Sequence, residues 1–289
     1  MRYNEQEWTI GYDISGQNSF GCSAASFAGS NVWNITPKGI VICGKYEETL
    51  EEARQLAQEA FAPDAVIAFY SRNNGIEKHL AAVSALFSGV PFCGGGAAPA
   101  ASGEAELYPS GEDVTMLFIR DDRYSFTHYY RDLHDISEAF ISLETSDSRT
   151  ILSITDGGRT CPAAEWLDAL KNKHAFRAES FENVTLTTAE GYNLHLSGDG
   201  SSTLNTGSDI PVTGQVHVGL ITDAEAQQRI NAFLTTEGDL VFGCAGLRSM
   251  TTSIETANTC GFLHGEIMTL NGEPHFGNLM MSALRASAK

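Results

Sequence analysis

From Gly39 to Gly96 the apolar positions change period in a regular order. Gly39-Ile40-Val41-Ile42-Cys43 is an unbroken apolar run of strand length, and Leu50, Ala53, Leu56, Ala57, Ala60 and Phe61 then recur at helical spacing. The acid-rich first turn of that helix suits the positive end of its dipole. Pro63-Asp64 ends it, and Ala65 to Tyr70 is a second apolar strand. Ile76, Leu80, Val83 and Phe87 mark a second amphipathic helix that Gly89 stops, and Val90-Pro91-Phe92-Cys93 leads into Gly94-Gly95-Gly96. The pattern predicts β-α-β-α-β.

The C-terminal third repeats the plan more loosely, with a strand over 215–221, a helix over 224–236, a strand over 239–244 and a further strand through 260–270. Between the two regions, 113–121 and the alternating 124–132 read as paired antiparallel strands, and 149–157 as another. Residues 196–214 are rich in Gly, Ser, Thr and Asp and read as a loop that supplies turns and no core. The expectation is an α+β, mixed α/β fold with two related halves, mixed β-sheets and helices packed on the outer faces. Its parts would be an N-terminal extension packed on the core (1–35), a first half (36–145) and a second half (146–289).

At 289 residues the chain can bury a sizeable core without staples. The six cysteines lie far apart with no CxxC pair, which favours reduced, largely buried thiols. The N-terminal residues do not resemble a secretory leader and no apolar run reaches membrane-spanning length, so a cytoplasmic protein away from the membrane is expected. Eighteen basic against 36 acidic side chains give a formal charge of −18, a field that repels phosphate backbones and excludes nucleic acid as an expected partner.

The stretch from Cys260 to Asn278, CGFLHGEIMTLNGEPHFGN, concentrates the candidate chemistry. His264-Gly265-Glu266 has the H-x-E form of zinc deaminases, but the P-C-x-x-C that would complete a zinc shell does not follow. His275 would return across a Leu270-Asn271-Gly272-Glu273 turn as a third ligand, which leaves a His264/Glu266/His275 metal centre as an alternative. No G-x-S-x-G elbow is present. A Cys244 or Cys93 nucleophile would need a base beside it in space. Gly94-Gly95 follows a strand without opening a helix, so it reads as a backbone turn that allows close approach. Ser71-Arg72 and Arg248 each follow a predicted strand end, where α/β sheets bind ligands and a guanidinium fork suits a carboxylate.

Gly261-Phe262-Leu263-His264-Gly265-Glu266-Ile267, then Asn271-Gly272, then His275-Phe276-Gly277-Asn278, resembles the terminal signature of the FIST domain (F-box and intracellular signal transduction). Asp239 to Arg248, and the order of elements from Glu51 through Pro99, are similar to other parts of that family. The chain has one residue more before Arg248, and His275 and Asn278 stand further apart than in the family pattern. The resemblance implies a stand-alone sensory module that binds an amino acid or related metabolite between its halves and signals to a protein such as a kinase or cyclase. It needs no cofactor, metal or catalytic residue. The ligand-binding residues it implies are Ser71, Arg72, Gly94, Gly95, Cys244, Arg248, His264, Glu266 and Asn278. A hydrolase or amidase using Cys244 or the metal centre is the alternative, and a ligand-free scaffold a third. Glu266 also has a purely structural reading, as the acceptor of buried backbone hydrogen bonds.

Overall fold

The computed structural model describes residues 1–12, 20–23, 31–70, 75–96, 113–236, 238–254, 259–263 and 265–289. The described helices are α1 (Tyr46–Gln58), α2 (Ile76–Ser84), α3 (Ala163–His174), α4 (Asp223–Thr236) and the short α5 (Ala245–Ser249). Helices and strands mix as an α+β protein, in two bodies: a sandwich of two sheets and a closed barrel.

The first sheet of the sandwich runs Gln6–Glu7, Lys38–Gly44, Val114–Ile119, Ala65–Tyr70, Phe92–Gly96, Glu266–Leu270 and Glu273–Gly277. Its central strands are buried on both faces, which is why they read as continuous apolar runs rather than alternating ones. Ile42, Val66, Ala68, Phe92 and Phe118 pack outward against Ala53 and Leu56 of α1 and Leu80 and Val83 of α2. Val41, Ile67, Phe69 and Leu117 pack inward against Leu240, Phe242, Leu263 and Leu284 of a second sheet. That sheet runs Thr259–Leu263, Leu240–Cys244, Met280–Ala288 and Tyr124–Asp132. Its other face carries Ile230, Phe233 and Leu234 of α4 and Leu247 of α5. The result is four layers, helix on sheet on sheet on helix. The N-terminal segment adds Trp8, Ile10 and Trp33 to the inner core, and the Trp8 indole donates to the Gly39 carbonyl at 2.9 Å.

Residues 135–220 form the barrel. Asp135–Thr145, Gln215–Leu220, Val184–Thr188, Asn193–Ser197, Leu204–Thr206 and Thr150–Asp156 pair antiparallel in that order, and the last pairs back to the first. Alternate residues such as Ile151, Leu186, Leu194, Leu196 and Val216 fill it, and α3 adds Trp166 and Leu167 to the same cluster.

Four sequence expectations change. Residues 113–121 and 124–132 do not pair with each other: Val114–Ile119 lies between Lys38–Gly44 and Ala65–Tyr70, whereas Tyr124–Asp132 pairs with Met280–Ala288 across nine positions. The 196–214 region is not a coreless loop, because Leu204–Thr206 closes the barrel and Leu204 and Ile210 are buried. The single strand expected through 260–270 is two, Thr259–Leu263 in one sheet and Glu266–Leu270 in the other. The strand-helix-strand unit of the C-terminal third also does not share one sheet, since Gln215–Leu220 belongs to the barrel. Each half still keeps a parallel pair, Ala65–Tyr70 with Phe92–Gly96 and Leu240–Cys244 with Thr259–Leu263. The expected Asn-Gly hairpin is present, with Asn271 and Gly272 at φ +53° and +86°, the left-handed values a primed two-residue turn requires.

Gly94 is a strict requirement of this sheet. Its φ is +117°, and a Cβ there would overlap the Ala68 carbonyl oxygen on the paired strand. Gly94→Ala is expected to cost at least about 2 kcal/mol through strain and clash, read as a lower urea midpoint with an unchanged m-value.

Candidate functional site

The sequence-predicted residues divide into three groups. Ser71, Arg72 and His264 lie outside the described residues. Gly94, Gly95, Cys244, Glu266 and Asn278 come together where the sandwich meets the barrel. Arg248 does not join them: it is exposed on α5 and its guanidinium donates to the Thr251 carbonyl at 3.1 Å and hydroxyl at 3.0 Å, closing its own helix end.

Glu266 is the centre of the second group. It opens its strand directly after Gly265, and across the sheet it faces Gly95 on one side and Gly277 on the other. Neither neighbour has a side chain to pack beside it. The carboxyl is fully buried; Oε2 accepts the Met280 amide at 3.3 Å, and Oε1 has no hydrogen-bond partner among the described residues. Burial holds it well above the usual carboxylate range, outweighing the Met280 amide and the nearby Cys244 thiol, which favour its charged form. Cys244 ends its strand in the same interior, where burial pushes its thiol far up. A thiol held in its neutral form is a poor nucleophile. Asn278 is tied into the barrel: its amide N–H donates to the Asn193 carbonyl at 3.0 Å and its side chain donates to Ser208 Oγ at 2.7 Å. The barrel carries two more buried atoms without hydrogen-bond partners among the described residues, Asn193 Nδ2 and His195 Nε2.

His264 lies outside the described residues, and among them His275 forms no metal set with Glu266. Its ring stacks on Tyr192 at 5.3 Å and 18°, and among the described residues no three His, Cys, Asp or Glu side chains converge as a metal set. Two other histidines are structural. His79 of α2 receives the Tyr70 hydroxyl on Nδ1 at 3.0 Å and donates through Nε2 to Thr49 Oγ1 at 3.0 Å; Thr49 in turn donates to the Lys45 carbonyl. Burial lowers its pKa to about 4, so it is neutral and satisfied. His128 meets Ser282 Oγ at 2.9 Å, but that hydroxyl donates to the Ile267 carbonyl and is no nucleophile.

Sequence reasoning missed the open cleft. A cavity of about 460 Å³ lies between α2, the strand Glu273–Gly277 and the barrel, lined by Glu77, Leu80, Ala81 and Ala85 on one wall, Pro274, His275 and Phe276 on the second, and Tyr192 and Asp209 on the third. Arg149 of the barrel clamps it, donating to Glu77 at 2.7 Å and to Asp209 at 2.9 Å. The Asp209 amide also donates to Glu77, at 3.2 Å. Burial and the Asp209 charge push the Glu77 carboxyl up even against Arg149. Burial, with nearby carboxylates, pushes the Tyr192 phenol to about 12, and burial lowers His275. Tyr192 Cβ and the Asn193 amide both lie against Gly277, the strand partner of Glu266. At about 3.4 Å per strand residue, His275 in the cleft is therefore roughly 7 Å along the strand from the Glu266 level.

These features define an α+β protein with a cleft between two bodies and a buried acid behind it. No protein-family model matches the chain, and no curated protein matches it.

Glu266 makes a pH prediction. The unfolded carboxyl loses its proton near 4.5 and the folded one keeps it well beyond, so the folded state binds more protons and loses stability as pH rises above that value. Thermal melts from pH 5 to 8 are expected to show a steeper decline for the native protein than for Glu266→Gln, with a difference of up to about 1.4 kcal/mol per pH unit. Equal slopes would mean that the folded carboxyl is ionised.

Proposed function

We propose that this protein is a sensory module of the FIST type that binds a small metabolite, an amino acid or a relative of one, between its sandwich and its barrel, and passes occupancy to a signalling protein such as a kinase or cyclase. The observation that carries the reading is the cleft. Its volume is that of a small-molecule site, and its walls come from both bodies, α2 and the Glu273–Gly277 strand on one side and Tyr192 and Asp209 on the other. An occupant would touch both walls and shift the balance of the Arg149 clamp that joins them, which is how binding would be felt at a distance. Two further features support it. The resemblance in the Gly261 to Asn278 stretch points to the same class. The Glu266 oxygen that has no partner among the described residues, close behind the cleft, offers an acceptor.

A thermal-shift screen against amino acids and their metabolites tests the proposal. A ligand at about 100 times its dissociation constant adds roughly 2.7 kcal/mol, which for a chain of this size raises the melting temperature by about 5 to 10 °C. Ala85→Trp, at an exposed α2 position on the cleft wall, is expected to abolish that shift while leaving the ligand-free melting temperature within about 2 °C. A shift that survives the tryptophan would remove the cleft from the proposal.

A further inference from the structure

Resting on that reading of the cleft, we infer that its occupant is an organic cation: a primary amine or guanidinium on an apolar stem. Three carboxylates line the cavity, Glu77, Asp209 and Glu273, and Glu190 is close enough to act on both Tyr192 and His275. The cation among them, Arg149, is committed to Glu77 and Asp209. Burial lowers His275, which favours its neutral form. Among the described lining residues an anion would meet this negative excess with no uncommitted guanidinium to receive it, while a cation would relieve it. A carboxylate of a zwitterionic amino acid would have to point out of the cleft.

The rest of the lining says what the cation carries. Leu80, Ala81, Ala85, Pro274 and Phe276 offer an apolar surface, and Tyr192, stacked on His275, offers an aromatic one. Carboxylates beside an aromatic ring are the pairing that holds ammonium and guanidinium heads, through charge-assisted hydrogen bonds and the ring quadrupole together. An aliphatic stem would lie along the small side chains of α2, where Ala81 and Ala85 leave the room. The wall from Glu77 to Ala85 spans eight helical steps, about 12 Å, so linear amines and guanidines of metabolite size fit lengthwise.

The test uses calorimetric titration of the intact protein with agmatine, cadaverine and spermidine, and with glutamate and pentanoic amide as anionic and neutral probes. At least one cation is expected to bind with stoichiometry one, weaken as sodium chloride is raised, and weaken at least about tenfold in Glu273→Gln, whose exposed position on the hairpin makes it structurally mild. Ala85→Trp is expected to abolish binding. Cation binding that persists in Ala85→Trp would assign the cations to the general acidic surface and overturn the inference. Binding of the amide or of glutamate, lost in Ala85→Trp and unchanged in Glu273→Gln, would overturn the cation while keeping the cleft. Silence from every probe here, together with silence in the wider metabolite screen, would overturn both.

Discussion

Two backbones meet with no side chain between them at Gly95 and Gly265, and the rest of the molecule is arranged around that contact. A Cβ on Gly95 would overlap the Gly265 carbonyl oxygen, and a Cβ on Gly265, at φ +87°, would enter the Phe276 ring. The Gly265 carbonyl accepts the Gly96 amide at 3.0 Å. Only at such a point can the chain leave one sheet at Leu263 and enter the facing sheet at Glu266 within three residues. The crossing stitches the two sheets together and delivers Glu266 into the interior, where its side chain is fully buried. The same step sends the hairpin to the sheet edge, where its second strand becomes a wall of the cleft.

The buried acid and the acidic cleft follow different electrostatic rules. Glu266 is fully buried, so it keeps its proton rather than its charge. The cleft acids sit nearer solvent, and Arg149 pairs with two of them, Glu77 and Asp209. Thus the inner site offers a hydrogen-bond donor or acceptor to a neutral group, and the outer one offers a field to a charged group.

Much of the fold was legible because burial writes itself into period. The runs at 40–43 and 65–70 are strands covered on both faces, α1 and α2 have their apolar residues at helical spacing, and Asn271-Gly272 permits little besides a tight hairpin. Pairing was less legible. Tyr124–Asp132 alternates as any half-exposed strand does, and nothing local says that its partner lies about 150 residues on. Leu204–Thr206 is too short to stand out in a Ser- and Gly-rich stretch, and only the barrel gives Leu204 an inside. Of the candidate site, Glu266, Gly95, Cys244 and Asn278 were found through a contiguous motif and strand ends. Glu77, Arg149, Tyr192 and Asp209 were not, because a cleft built from four distant segments leaves no pattern in any one of them. The excess of acids over bases was visible, but its concentration at the cleft was not.

The barrel is one continuous stretch, 135–220, whereas the sandwich is drawn from both sides of it. Tyr124–Asp132 has no sheet to join until Met280–Ala288 has been made, and Phe92–Gly96 lacks its outer neighbour until Glu266 arrives. During synthesis the barrel can gather its contacts early, while the inner face of strands such as Ala65–Tyr70 waits some two hundred residues for Leu240, Phe242 and Leu284 to cover it. The cleft, with walls on both bodies, is therefore among the last features of the chain to form, and its presence reports that the whole chain has folded.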